Sequence, residues 1–292
     1  MTNLNSSVKK NVKILVCCHK QDIMATEEPY LPIQVGKAGS AVDLGIQGDD
    51  EGDNISLKNG SYCELTGMYW AWKNLKDVDI IGLCHYRRYF DFHHNYRRVD
   101  DIKHLRTSDF PSTDLSLPEK VVDSIKDGRA VVARPWYFWG NTQSKYFAQN
   151  VAKDLRTLGS VIARTQPEVV RRAFYRVTLM RTWLCPFNMF VMTWHDFDAY
   201  CQWLFPILAE VEARTDTTHY DAFQQRIYGY MGEFLLNVWL CANRFQLDKR
   251  PVLMFLDKVP TDKQRSRFNI YQWRLRTWLS VRLIYPSERD LR

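Results

Sequence analysis

The side chains best suited to chemistry stand at the ends of three short apolar runs. Leu15–Cys18 leads directly into His19 and Lys20, Ile80–Leu83 into His85, Tyr86, Arg87 and Arg88, and Val131–Ala133 into Arg134. A guanidinium presents planar, paired donors that match phosphate oxygens, so Arg87 and Arg88 together with Arg134 suit a diphosphate. The plainer alternative for the Arg-Arg pair is one solvated and one salt-bridged arginine. A second cluster is acidic: Asp49, Asp50, Asp53 and Asn54 in GDDEGDNIS. Its oxygens could bind a divalent cation or sugar hydroxyls, or simply form an acidic surface turn. The glycine and closing glutamate of a calcium loop are misplaced.

Two carboxylates stand apart from that cluster. Glu64 follows Tyr62 and Cys63 at the start of a helical pattern, and Glu233 follows two glycines in Tyr228-Gly229-Tyr230-Met231-Gly232-Glu233. Glu233 then leads an apolar helix, which suits a general base aimed from a helix start and equally a first-turn acid that complements the helix dipole. His85 is a second candidate base, and a strand-end histidine also serves as a hydrogen-bonded structural group. The chain contains no G-x-G-x-x-G, Walker loop, G-x-S-x-G or Cys/His zinc spacing. This argues against dehydrogenases, P-loop NTPases, α/β-hydrolases and zinc enzymes.

Strands alternating with helices must position these groups. VKILVCC at 12–18, DIIGL at 79–83, residues 130–133 and 187–193 read as buried strands, bounded by charged residues. Residues 21–60 read as a long loop with a short strand at most. Tyr62, Leu65, Met68, Tyr69 and Trp72 follow the stripe of an amphipathic helix that ends near Lys76. Helices are also expected over 118–127, 142–165, 167–182, 195–214 and 223–243, and the polar stretch 91–118 as a lid or insertion. This order favours an α/β domain with a mainly parallel sheet, whose ligands bind beyond the carboxyl ends of the strands.

The chain has 292 residues, 46% hydrophobic and 25% charged, ordinary proportions for a packed domain and unlike a disordered or collagen-like chain. Seven cysteines without a C-x-x-C spacing read as reduced thiols. No apolar run approaches the roughly 20 residues of a membrane span, and the N-terminus lacks a secretory signal, so a cytoplasmic protein is expected. Forty basic against 33 acidic residues give a net charge of +7, which suits nucleic acid, a membrane surface or an anionic substrate.

The runs ILVCCHK at 14–20, PIQVGKA at 32–38, GDDEGDNIS at 48–56, YCELTGMYWAWKN at 62–74 and IIGLCHYRRYF at 80–90 resemble the bacterial family known as domain of unknown function 4422. The resemblance continues through NMFVMTWHDFDAYCQWLFPIL at 188–208 and QRIYGYMGEFLLNVWL at 225–240, and so spans roughly residues 12–243. Members of that family occur among capsular polysaccharide, exopolysaccharide and O-antigen glycosyltransferases. Residues 244–292 lie beyond the resemblance and read as a helical basic and aromatic extension, whereas the resemblance implies a GT-A-like nucleotide-sugar-binding domain over 12–243. It further implies transfer of a hexose from a nucleotide sugar, UDP being the expected carrier, to a lipid-linked or glycan acceptor in surface polysaccharide assembly.

GT-A enzymes commonly hold a metal with an Asp-x-Asp element at a strand end, whereas this strand gives Cys84-His85-Tyr86-Arg87-Arg88. Either arginines do the metal's electrostatic work, the alternative favoured here, or Asp49, Asp50 and Asp53 supply manganese or magnesium from another loop. On this reading Glu233 and His85 are catalytic candidates. His19, Lys20, Arg87, Arg88, Arg134, Asp49, Asp50, Asp53 and Asn54 are donor-binding candidates. A noncatalytic carbohydrate-binding module is the competing account, and nucleic acid is not an expected partner. Over 262–292, arginines interleave with Phe268, Tyr271, Trp273 and Trp278. That pattern suits an interfacial helix on an anionic membrane, here the inner face of the cytoplasmic membrane, or a terminal helix docked on the domain.

Overall fold

In the computed structural model, the residues described are 11–94 and 102–259, with Gln272, Leu275, Arg276 and Leu279. In chain order the elements are β1 (Val12–Cys18), β2 (Tyr30–Gln34), β3 (Gln47–Gly48), α1 (Asn59–Tyr62), α2 (Leu65–Asn74), β4 (Ile80–His85), β5 (Arg88–Phe90) and β6 (Ile102–Arg106). There follow α3 (Glu119–Lys126), β7 (Arg129–Ala133), β8 (Trp136–Tyr137), α4 (Thr142–Gln149), α5 (Ala152–Thr165), α6 (Glu168–Tyr175) and β9 (Trp183–Leu184). The last are β10 (Phe190–Thr193), α7 (Trp194–Glu212), α8 (Ile227–Ala242), β11 (Gln246–Arg250) and β12 (Val252–Leu256).

The central sheet runs β11-β7-β10-β4-β1-β2-β3. Neighbours are parallel from β4 through β3 and between β11 and β7, while β10 is antiparallel to both β4 and β7. The expected mainly parallel α/β architecture is therefore present, with one reversed strand. Because β10 runs backwards, its entry loop lies at the same edge as the ends of β1, β4 and β7. A smaller wing of β5, β6 and β12 extends from β4.

The buried strands read as continuous apolar runs because both sheet faces are covered. Alternation divides β1: Leu15 and Cys17 join the core beneath α2, α5, α7 and α8. Ile14, Val16 and Cys18 join a second core with Val121 and Ile125 of α3 and the aromatics of the wing.

Several expectations change. The helix expected from Ser61 to Lys76 is broken between α1 and α2 at Cys63, whose φ is 52°. The expected loop 21–60 contains β2 and β3, and the expected insertion 91–118 contains β6, which pairs in parallel with β12. The helix expected over 142–165 is two helices, α4 and α5. The sheet continues beyond residue 243 into β11 and β12, so the first part of the expected helical extension is strand. The basic and aromatic stretch 262–292 lies outside the described residues except for the four named above. Among the described residues, no helix is long and apolar enough to cross a membrane.

Candidate functional site

The site forms at the carboxyl edge of the sheet around Phe187. Phe187 and Asn188 occupy consecutive left-handed conformations, φ 73° and 54°. That is a strained arrangement for a bulky residue, and surrounding contacts must hold it. The backbone N–H of Phe187 donates to Oε2 of Glu233 at 2.8 Å, and its carbonyl accepts from Nε2 of His85 at 2.8 Å. The Asn188 side-chain amide donates to Oε1 of Glu64 at 2.6 Å and to the Gly229 carbonyl at 3.3 Å. Three distant segments are thus tied to one loop.

Glu233 is the seventh residue of α8, beyond its first turn, so its carboxylate answers to its surroundings more than to the helix dipole. Burial pushes its carboxyl up to about 7, and the charge of Glu64 adds to the rise. The Phe187 N–H, Arg88 and Lys145 act against it. A carboxyl poised there is fit for proton transfer near neutrality. His85 is lowered from its ordinary value, first by burial. With Nε2–H directed at a carbonyl it is a neutral ring that positions Phe187, rather than a base facing a ligand through that nitrogen.

The two adjacent arginines diverge because Tyr86 and Arg87 form the link between paired His85 and Arg88. Arg87 donates from Nε to Asp22 at 2.9 Å and from Nη1 and Nη2 to Asp257 at 3.1 and 3.2 Å. Its donors are thus engaged in protein contacts, unlike those of Arg88. Arg88 is half-buried, its guanidinium 4.7 Å from the centre of the Phe187 ring, and its charge is felt by Glu233. Among the described residues its guanidinium makes no hydrogen bond or ion pair. Burial lowers its pKa, opposed by Glu64 and Glu233.

His19 and Lys20 follow β1 and are exposed; the His19 ring meets Tyr86 edge-on at 5.4 Å, and Lys20 pairs with Asp22 at 3.5 Å. Partial desolvation where the ring meets its neighbours first, then the charges of Lys20 and Arg226, lower the His19 pKa. Arg134 follows β7, its backbone N–H donating to the Arg250 carbonyl at 2.9 Å. Sequence reasoning missed Arg226, which donates from Nε to Cys63 Sγ at 3.4 Å and lies over the Tyr230 ring. It also missed Phe187 and Asn188. The one local signal for them is the Pro-Phe-Asn run that opens β10.

The acidic loop lies at the same edge, beyond β3. Asp49 is fully buried and accepts from the backbone N–H groups of Gly36 and Lys37 and the hydroxyl of Ser56. Asn54 braces the turn through the carbonyls of Asp50 and Gly52, and Asp53 accepts from Tyr69 at 3.2 Å. Asp50 Oδ1 is buried without a partner. Among the described residues, no three His, Cys, Asp or Glu side chains gather to hold a metal ion. The acids as placed do not fit a metal centre, and Asp49 in particular serves to close its own loop.

The fold is similar to that of the solved apo structure titled WbbM bifunctional glycosyltransferase, with a TM-score of 0.76 and 24% sequence identity. The likeness covers 87% of this chain and 48% of that one, so the chain spans about half the length of the structure it matches. No curated protein matches it. The model of a domain of unknown function, DUF4422, matches residues 13–244, and the chain belongs to that family.

Proposed function

We propose that the chain is a glycosyltransferase that moves a hexose from a nucleotide sugar, UDP being the expected carrier, to a lipid-linked or glycan acceptor in bacterial surface polysaccharide assembly. The observation that carries this reading is Glu233. One carboxylate oxygen is anchored, the pKa is near neutrality, and a cation without a hydrogen-bond partner, Arg88, lies close enough to influence it. The fold likeness to a protein titled a glycosyltransferase supports the same class, as does a sheet whose strand ends form the expected ligand edge of a GT-A-like domain.

Glu233 takes the proton of the acceptor hydroxyl as the oxygen attacks the anomeric carbon. The bond from that carbon to the diphosphate oxygen breaks, and the nucleoside diphosphate leaves with the electron pair. Arg88, with His19, Lys20 and Arg134 along the same edge, stabilises the charge that develops there, commonly the largest electrostatic contribution in such a reaction. Glu233 returns its proton to water.

The chain is proposed to work in the cytoplasm, with its basic C-terminal segment on the inner membrane face where a lipid-linked acceptor is presented. Incubation with a panel of UDP-, GDP- and dTDP-sugars and membrane lipid extract tests the activity. Acceptor-dependent release of nucleoside diphosphate is expected, and sugar binding without any release would favour the carbohydrate-binding module.

A further inference from the structure

A cleft opens beside Glu233 between α4, the antiparallel pair of β8 and β9, and α8. Among the residues that line it are Trp136, Lys145, Tyr146, Leu184, Tyr230 and Glu233. Trp136 is 52% exposed, its ring tilted against Phe187 at 6.2 Å and Lys145 Nζ 5.6 Å from its centre. Tyr146 is 6% exposed, and its hydroxyl is buried with no hydrogen-bond partner. An unsatisfied buried hydroxyl is costly, and a native one calls for an explanation. Oε1 of Glu233 is also without a hydrogen bond among the described residues, since Oε2 takes the Phe187 N–H.

These features select a class of ligand. The exposed lining is mostly apolar and aromatic, and Thr142, Gln149 and Asn150 add neutral polar groups to it, a combination suited to an uncharged, hydroxyl-bearing ring. A diphosphate does not suit it: Lys145 is the one cation in the lining, and Glu233 stands in the same wall. A pyranose has an apolar C–H face to lay on an indole and hydroxyls for a phenol and a carboxylate.

We infer that this cleft is the acceptor subsite, which holds a neutral hexose ring on Trp136 with one hydroxyl at Tyr146 and the reacting hydroxyl at Glu233. The inference rests on the glycosyltransferase reading, and Glu233 is then the residue between two compartments, donor diphosphate toward Arg88 and acceptor ring toward Trp136.

The test uses the full chain and two probes. UDP, GDP and dTDP report on the donor side through thermal shift, and methyl glycosides of galactose, glucose, mannose and N-acetylglucosamine report on the cleft through saturation-transfer NMR. At least one glycoside is expected to bind the wild type, at least tenfold more weakly to Trp136→Ala, with the nucleotide shift unchanged. Tyr146→Phe is expected to leave thermal stability equal or higher while weakening the glycoside about three- to tenfold, a pairing that loss of structure would not give. A nucleotide shift with no glycoside bound, or equal glycoside binding by wild type and Trp136→Ala, overturns the subsite. No shift by any nucleotide overturns the transferase reading instead, and glycoside binding lost in Trp136→Ala then stands as a sugar site alone.

Discussion

Phe187 donates its backbone N–H to Glu233 across 46 residues of sequence, from a left-handed conformation with φ 73°. That contact fixes one carboxylate oxygen and leaves the other to act, in surroundings that hold the carboxyl near pH 7.

The pH dependence follows with a definite sign. Below about 7 the carboxyl is protonated and cannot accept a proton, so kcat/KM is expected to rise with pH through that value and then level off. Glu233→Gln removes that limb, lowers turnover about 10²- to 10⁴-fold and leaves nucleotide affinity unchanged. Stability responds in the opposite direction. A carboxyl whose pKa is higher folded than unfolded stabilises fully below the unfolded value of 4.5, and that contribution fades as pH rises through about 7. Glu233→Gln should therefore melt higher than wild type at pH 8, by an amount bounded at roughly 3 kcal/mol. Melting curves at pH 5 and 8 check this, and an unchanged difference between the two pH values would count against a strained carboxylate.

Arg88 and Arg87 should separate cleanly. Arg88→Ala removes a cation free to meet the leaving group, so donor use is expected to fall about tenfold to a hundredfold, the equivalent of one charge-assisted contact of about 1.5 to 3 kcal/mol, with little change in melting. Arg87→Ala leaves Asp22, 7% exposed at its side chain, without its strongest partner. The protein is expected to lose about 1 to 3 kcal/mol of stability with donor KM nearly unchanged in the molecules that remain folded. Steady-state kinetics beside thermal melts decide it; a donor defect confined to Arg87→Ala would reverse the assignment.

The reasons these arginines were indistinguishable in the sequence apply more widely. Strands β1, β4 and β7 are legible because burial on both faces leaves uninterrupted apolar runs. β11, QLDKR, is not: it lies at the sheet edge and tolerates charge. The break between α1 and α2 depends on Cys63 at φ 52°, and cysteine carries no signal for that conformation. Glu233 was visible through the glycines before it. Its partners Phe187, Arg88 and Glu64 come from three other segments of the chain, and their convergence is a property of the packed sheet and helices that no local spacing encodes.

Asp49 should behave as a structural residue. Asp49→Ala strips three donors of their acceptor in a buried loop and is expected to cost about 1.5 to 3 kcal/mol. Because the acids do not converge on a common point, activity is expected to survive EDTA and to gain little from added manganese or magnesium. Loss of activity in EDTA with restoration by either ion would show that a metal is held by a combination of groups other than the acidic loop in its present form.

The last prediction concerns how α8 is brought close enough for Glu233 to meet Phe187. A Cβ on Gly229 would lie 2.9 Å from Cys63 Sγ and 3.0 Å from its Cβ, and one on Gly232 would lie 2.7 Å from Leu65 Cδ1. Both glycines sit inside a helix, where alanine is intrinsically better by about 0.5 to 1 kcal/mol. Overpacking opposes that gain by about 1 to 3 kcal/mol. Leu65 is fully buried, and Cys63 is held in its left-handed turn, so neither neighbour has an easy way to yield. Gly229→Ala and Gly232→Ala are therefore each expected to destabilise by about 1 to 2 kcal/mol. They should also lower turnover more than donor affinity, because a helix pushed outward carries Glu233 away from Phe187 while leaving Arg88 in place. Kinetics and melts of the two variants test this, and a net stabilisation in either would mean that the helix packs more loosely there than its glycines require.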